Sequence, residues 1–301
     1  MAARVDRVTG AGPGTGDVTA VVVAFRRPEA LASLLGRLKP LPVVVVNVAA
    51  DAAVHRVAAE AGAAVIDLGD NPGYSAAVNR GVEAAETDVV VFMNDDIRLG
   101  ARDIEHLRVH LDTADVVAPL ILAGDVVDSA AFALPTPGRL LVEWALLPDR
   151  PIGCLRWLQP EKWRRPLAPV EVPAVAGTVV MARRSLLADV PLPEEYFLYW
   201  EDLAWCSLLH RTGRSIRLVP DVTATHAGGR DEVRPDKSRL LSRNAVRCVR
   251  RTQGRVRAAA AWPVVVLWNL RLLAVALVRR RHVAARWAGL RAAAGAWREI
   301  T

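Results

Sequence analysis

Two pairs of adjacent carboxylates, Asp95-Asp96 and Glu201-Asp202, are the residues of this chain best placed to do chemistry. The first pair follows the apolar run Asp88 to Met93, so a strand would deliver it, with Asn94, straight into a loop. Adjacent acids repel unless a cation or hydrogen-bond donors offset the charge. A hard divalent cation held between carboxylate and diphosphate oxygens would do so and would neutralise a departing nucleotide; a turn with solvated acids is the plainer alternative. Glu201-Asp202 follows the aromatic cluster Tyr196-Phe197-Leu198-Tyr199-Trp200. A carboxylate at that helix start could act as general base toward a sugar hydroxyl, or merely cap the helix. His226 could give an imidazole to a metal, or be a surface histidine ahead of Gly228-Gly229. In Asp70-Asn71-Pro72-Gly73-Tyr74, followed by Asn79 and Gly81, Gly73 could let backbone approach a ligand. The helix from Ser75 would offer N–H groups to an anion; a turn plus a helix cap reads equally well.

These residues need elements to hold them. Val18 to Phe25, Val43 to Val46, Ala63 to Leu68 and Asp88 to Met93 are apolar runs that predict strands. Pro28 opens a helix with Leu31, Leu34, Leu35 and Leu38 on one face, and Ala52 to Ala61 and Ser75 to Glu86 predict two more. Short links between alternating strands and helices predict a parallel sheet covered on both faces. Ligands of such sheets bind beyond the carboxyl ends of the strands, where Phe25-Arg26, Asn47, Asp70-Asn71 and Asn94-Asp95-Asp96 stand. Further on, Ile104 to Leu111 predicts a helix and Asp115 to Leu120 a strand. Ala123 to Pro173, rich in proline and tryptophan without a period, reads as an extended acceptor-side surface region. Val175 to Ala182 predicts a strand, Glu201 to Thr212 a helix, Ser215 to Val219 and Val222 to His226 short strands, and Lys237 to Arg251 a basic helix.

With 301 residues, 24% charged and 52% hydrophobic, the chain can build a sizeable core, which excludes global disorder. Its net charge of +7 suits a polyanion, an anionic membrane or a phosphorylated substrate alike. Cys154, Cys206 and Cys248 are far apart and read as buried thiols in a reducing compartment. Met1 to Asp17 lacks the apolar stretch of a signal peptide and reads as a disordered leader, 1–17, to a cytoplasmic protein. Near the other end, Ala258 to Val278 is apolar but broken by Pro263, Asn269 and Arg271, and is bounded by Arg255, Arg257 and Arg279-Arg280-Arg281. A central arginine argues against a spanning helix. A membrane-surface helix and a helix packed on its own domain or on a homodimer partner are equal readings.

Taken in order, Ala24-Phe25-Arg26, Asn71-Pro72-Gly73-Tyr74 with Asn79-Arg80-Gly81, Asn94-Asp95-Asp96, Val175-Ala176-Gly177, Phe197 to Asp202 and His226 with Gly228-Gly229 resemble the motifs of family 2 glycosyltransferases. Within that family the rhamnosyltransferase-like branch is nearest, and the resemblance runs from roughly Thr19 to Arg251. It implies the α/β GT-A fold, a Rossmann-like, mostly parallel central sheet flanked by helices, with an additional acceptor-side region and C-terminal helices. The catalytic domain would be 18–252 and a helical extension 253–301. The implied activity is an inverting, metal-dependent transfer of a sugar, a deoxyhexose such as rhamnose, from a dTDP- or UDP-activated donor. The acceptor would be a hydroxyl of a glycan, a lipid-linked saccharide or a natural product. Asn94-Asp95-Asp96 matches the family's variant of the DxD motif, which implies Asp96 as the ligand of Mg2+ or Mn2+, aided by His226. Asp202 is the implied catalytic base, with Glu201 supporting it. Ala24, Phe25, Arg26, Asn47, Asp70, Asn71, Gly73, Asn79, Asn94, Asp95 and Gly177 would line the nucleotide-sugar donor. Arg243-Asn244 resembles the family's basic stretch on the following helix, and Arg230, Arg234 and Lys237 are candidates for the diphosphate.

Two departures from the family stand out. Asn47-Val48 replaces a common Asp-Asn, which opens the choice between thymidine and uridine nucleotides, and Ala204, Trp205 and Leu208 replace a further acid and a later arginine. The second change suggests an apolar acceptor pocket or different helix packing. No GxGxxG follows the first strand, which argues against a dinucleotide enzyme. A nucleic-acid-binding protein using the arginines from Arg230 onward and a catalytically inactive nucleotide-sugar-binding protein are the rival readings, although nucleic acid is not the expected partner. The expected location is cytoplasmic, at the inner membrane face if the extension binds lipid.

Overall fold

The apolar runs of the first hundred residues form parallel strands because each is buried on both faces. In a computed structural model, which describes residues 4–6, 18–124, 126–127, 131–141, 168–226 and 233–301, β1 (Arg4–Asp6) is followed by β2 (Val18–Ala24), α1 (Pro28–Leu38), β3 (Val43–Asn47), α2 (Ala52–Glu60), β4 (Ala64–Asp67), α3 (Tyr74–Ala84) and β5 (Val89–Asn94). Strands β4, β3, β2 and β5 lie side by side and parallel. Side chains alternate across this sheet as period 2 requires. Val21, Val23, Val90 and Phe92 face one core, whereas Ala20, Val22, Val91 and Met93 face the other, against α1 and α2. Gly81 of α3 settles on β2 so closely that a Cβ there would lie 2.2 Å from Val21 Cγ1. In this chain its role is helix-on-sheet packing.

The second half follows as β6 (Ile97–Arg98), α4 (Ala101–Val109), β7 (Val116–Ala123), β8 (Val126–Val127), β9 (Ala131–Phe132), α5 (Pro137–Leu140), β10 (Val170–Glu171), β11 (Ala174–Val175), β12 (Val179–Arg183), α6 (Arg184–Asp189), α7 (Glu201–Arg211), β13 (Ile216–His226), α8 (Pro235–Gln253), α9 (Arg255–Arg279) and α10 (Val283–Gly295). The main sheet runs β1-β4-β3-β2-β5-β12-β7-β13-β10. It is mostly parallel, as expected, but β12 enters antiparallel between β5 and β7.

Three expectations change here. The single strand expected over Val175 to Ala182 is two, β11 and β12, with Ala176, Gly177 and Thr178 turning between them. The two short strands expected up to His226 are one strand, β13, with an irregularity between Val219 and Thr223. Within the expected leader, Arg4–Asp6 pairs antiparallel with β4; the rest of the leader lies outside the described residues. Of the acceptor-side region, β8, β9, α5 and β10 are described, while residues 142–167, with Cys154, are not. Cys206 and Cys248 are buried free thiols, as expected.

Candidate active site

Three strand ends meet at the first acidic pair. Strand β5 carries Asp95 and Asp96 just past Asn94, and both are nearly buried, 4% and 7% exposed. The backbone N–H of Phe25, at the end of β2, donates to Asp95 Oδ2 at 2.9 Å. His226, the last residue of β13, is paired with Ile97, so its Nε2 reaches within 3.3 Å of Asp96 Oδ1. The Arg27 guanidinium hydrogen-bonds Asp96 Oδ2 and lies 3.8 Å from Asp95 Oδ1. These contacts separate two chemically identical neighbours. Burial pushes Asp95 up to about 6, beyond what the Phe25 N–H recovers. Asp96 suffers burial too, but His226 and Arg27 outweigh it and hold its carboxyl below the ordinary value. Arg27 was not among the residues expected at the site, although a cation two places after Phe25 on the same strand end was the available signal.

The second acidic pair is held by a strained loop. Tyr199 and Trp200 both have left-handed backbone, φ 67° and 75°, which costs each non-glycine residue roughly 1–2 kcal/mol. Asn244 of α8, buried, offsets this strain by donating from Nδ2 to the carbonyls of Leu198 and Tyr199, each at 3.0 Å. The loop delivers Glu201 and Asp202 into the first turn of α7. Asp202 Oδ1 accepts the Leu203 N–H at 2.8 Å, and Oδ2 accepts the Gly177 N–H at 3.3 Å. Glu201 Oε2 is buried without a hydrogen-bond partner among the described residues. Burial, reinforced by repulsion from Asp202, pushes Glu201 up to about 8, and burial raises Asp202 as well. The two N–H donors favour the charge on Asp202 and leave the proton on Glu201.

Tyr74 ties the two pairs together. Its hydroxyl donates to the Gly177 carbonyl at 2.6 Å, while the Gly177 N–H serves Asp202. Burial, with the charges of Glu201, Asp202, Asp96 and Asp95, raises the Tyr74 hydroxyl well above its ordinary value, so it remains a donor. All four carboxylates of the two pairs thus act on the one Tyr74 hydroxyl. Gly73 makes this possible in a way that differs from the expected contact with a ligand. At φ 97° it lies against the Phe197 backbone, where a Cβ would come within 2.4 Å of the carbonyl oxygen. The first N–H of α3, that of Tyr74, donates to the same oxygen at 2.9 Å instead of to an anion. Gly73→Ala is accordingly expected to lower unfolding stability by about 2–3 kcal/mol, from left-handed strain plus displacement of backbone. Thermal unfolding beside a Gly69→Ala control, a left-handed glycine with open space at its Cβ position, measures the contribution of the close contact.

Two residues expected at the donor have their side chains engaged within the fold. Asn47, fully buried, donates from Nδ2 to the Asp51 carbonyl and to Asp67 Oδ1 and accepts the Asp51 N–H. Asn79 exchanges hydrogen bonds with the Leu192 backbone and donates to Glu194. Both Nδ2 groups are fully used within the fold, and for the buried Asn47 this follows from the need of a buried amide for partners whether or not a ligand comes. Asn71 accepts from Gly73 N at 3.0 Å and, like Asp70, is exposed at the strand-end edge. Phe25 is 46% exposed with Arg26 over its ring at 5.3 Å, and Ala24 is buried beneath them. Asn94 donates its N–H to the Thr178 carbonyl. Gly228-Gly229 and Arg230 lie outside the described residues; Lys237 lies 5.7 Å over the Tyr199 ring.

Residues 19–189, which carry β2 through α6 and the Asp95-Asp96 pair, match the family described as Glycosyl transferase family 2. The chain belongs to that family. Over 233 residues the glycosyltransferase is 26% identical to the low-salt glycan biosynthesis hexosyltransferase Agl10 of Haloferax volcanii, covering 74% of this chain and 71% of that one. Its fold matches that of glucosyl-3-phosphoglycerate synthase from Mycobacterium tuberculosis in complex with Mn2+, UDP and phosphoglyceric acid (TM-score 0.53, 19% identity, 78% of each chain). It also matches GalNAc-T7 with UDP, GalNAc and Mn2+ (TM-score 0.57, 15% identity, 77% of this chain), of which it spans just under half, 47%. The glycosyltransferase has the GT-A fold that the sequence resemblance implied.

Proposed function

We propose that this glycosyltransferase moves a hexosyl group, with inversion, from a nucleotide-sugar donor to an acceptor hydroxyl, with Asp202 as the base. One observation carries the reading: the Gly177 peptide joins Asp202 to Tyr74, whose hydroxyl also feels the charges of Asp95 and Asp96, so the base and the diphosphate-side acidic pair act on one side chain. The acceptor oxygen attacks the anomeric carbon as its proton passes to Asp202. The anomeric C–O bond breaks on the opposite side, and its electron pair leaves with the nucleoside diphosphate. Arg27 and His226 place positive and hydrogen-bonding groups where that charge develops. Asp96 Oδ1, buried without a well-formed hydrogen bond, together with His226 fits a hard cation that keeps few protein ligands and completes its shell with phosphate oxygens. Mg2+ or Mn2+ bound there would neutralise the diphosphate. Among the described residues no group of three His, Cys, Asp or Glu side chains is arranged to hold a metal ion by itself.

The named relatives support a hexosyl donor, a glycan acceptor and a uridine nucleotide with Mn2+. The exposed Phe25 ring offers a stacking face to a pyrimidine base next to the closed Asn47 amide. dTDP-rhamnose and UDP-hexoses are the donors to test first, because the sequence motifs resemble those of the rhamnosyltransferase-like branch. Nucleoside diphosphate release would be measured across dTDP-, UDP- and GDP-sugars, with Mg2+ or Mn2+, on saccharide and prenyl-linked acceptors. No release with any combination of donor and acceptor would overturn the reading. Asn244→Ala, which leaves the Tyr199-Trp200 strain unopposed, is expected to lower kcat more than tenfold while changing donor Kd less than threefold, since about 1–3 kcal/mol of hydrogen bonding is lost on the base side alone. Initial rates and donor titration together decide it.

A further inference from the structure

Helix α9 is apolar nearly all round, yet the fold covers only one side of it. Ala258, Ala261, Val265 and Ala276 are buried, and the helix is held by the Ser242–Asn269 hydrogen bond to α8 and by Trp262 Nε1 donating to the Ala293 carbonyl of α10. The opposite side carries Val256, Pro263, Leu267, Leu270 and Leu277, at three-, four- and seven-residue intervals that place them on one face, with Val278, eleven residues after Leu267, on the same side. Val256 and Val278 are 85% exposed, and Leu267 and Leu277 are more than half exposed. A stripe of this length, about 33 Å at 1.5 Å per residue, is an exposed patch that calls for an occupant.

Charge selects the occupant. From Arg255 to Arg298 every charged side chain apart from His282 is an arginine, with Arg279, Arg280 and Arg281 exposed together at the end of the stripe. A second copy would bring arginines onto arginines. A spanning orientation would strip α9 from α8 and α10 and leave Asn269 and Arg271 in hydrocarbon. An interfacial orientation keeps the packed face packed, buries the leucines among acyl chains and gives the arginines to phosphate headgroups.

We propose that the exposed face of α9 docks the protein onto an anionic phospholipid bilayer, lying in the plane of its interface. Helices α8 and α9 are antiparallel about Gly254, and the start of α8 adjoins the base loop through Lys237 and Tyr199. The arginine end of α9 therefore lies on the side of the molecule from which Asp202 is presented. If the transferase reading holds, on which this consequence alone rests, the acceptor is a saccharide carried on a membrane lipid.

Co-sedimentation of the full chain with phosphatidylglycerol-containing and with pure phosphatidylcholine vesicles tests the docking. Binding should require the anionic lipid and weaken on the order of 100-fold in Arg279→Gln/Arg280→Gln/Arg281→Gln, at about fivefold per arginine. Leu267→Ser/Leu270→Ser, on positions about half exposed and therefore expected to change thermal unfolding little, should weaken it as well. Asp202→Asn should bind vesicles as the wild type does, so a failure of transfer and a failure of docking read separately. Absence of binding to anionic vesicles, a dimer in sedimentation equilibrium that Leu267→Ser/Leu270→Ser dissolves, or retention in membranes through alkaline carbonate extraction would each overturn the proposal.

Discussion

Asp202→Asn is expected to reduce kcat by about 10³-fold, within the range of about 10²–10⁴ typical of a positioned general base, while donor affinity stays within a few-fold. The amide keeps the shape and its single carbonyl oxygen can still accept from Leu203, although not from Gly177 as well, and it cannot take the acceptor's proton. Glu201→Gln is the decisive companion. The buried, unpartnered Oε2 and a carboxyl pushed up to about 8 mark Glu201 as the protonated member of the pair at neutral pH. An isosteric neutral amide should therefore retain activity within about tenfold of the wild type. Equal losses in the two variants would refute the assignment of base and support. The pH profile carries the same sign. A base with a raised carboxyl is competent only above that raised value, so kcat should fall on acidification at a pH above the ordinary carboxylate range of about 4. In Asp202→Asn that acid limb should disappear from the residual rate. Initial-rate profiles from pH 4 to 9 measure both.

Asp96→Asn should lower kcat/KM by about 10²–10³-fold, since a cation at a departing diphosphate contributes several kcal/mol of charge stabilisation. Because the lost group binds the donor side, the same variant should weaken nucleoside diphosphate binding in a divalent-dependent way. Calorimetric titration of the diphosphate with and without Mn2+ makes that comparison without turnover. Asp95→Asn should be milder. Asp95 holds the Phe25 N–H, and burial already pushes it up to about 6, so its task is to fix the end of β2. If Asp95→Asn were the more damaging substitution and Asp96→Asn bound nucleotide normally, the order of roles within the pair would be reversed.

The particular residues show which local signals were sufficient. Asp95, Asp96, Asp202 and His226 could be placed at strand or helix ends because an apolar run and the polar residue after it are neighbours in the chain. Asn47 and Asn79 show the limit of the same signal: adjacency to a strand end or a glycine says that an amide is near the edge, not where its hydrogen bonds go. Their partners, Asp67 at 20 residues and Leu192 at 113 residues, are known only after folding. Gly73 was rightly singled out as needing close approach, yet the approaching atom is the Phe197 carbonyl, 124 residues away.

Hydrophobic period and turn residues are properties of short windows, and they alone determined the alternation of strands with helices, the parallel half-sheet and the edge on which the acidic residues collect. The antiparallel entry of β12, the placing of Arg27 on Asp96, the Tyr74–Gly177–Asp202 bridge and the bare side of α9 were decided by tertiary structure. Each depends on which distant surface meets which, and a side chain's neighbours across space leave no periodic trace in its neighbours along the chain.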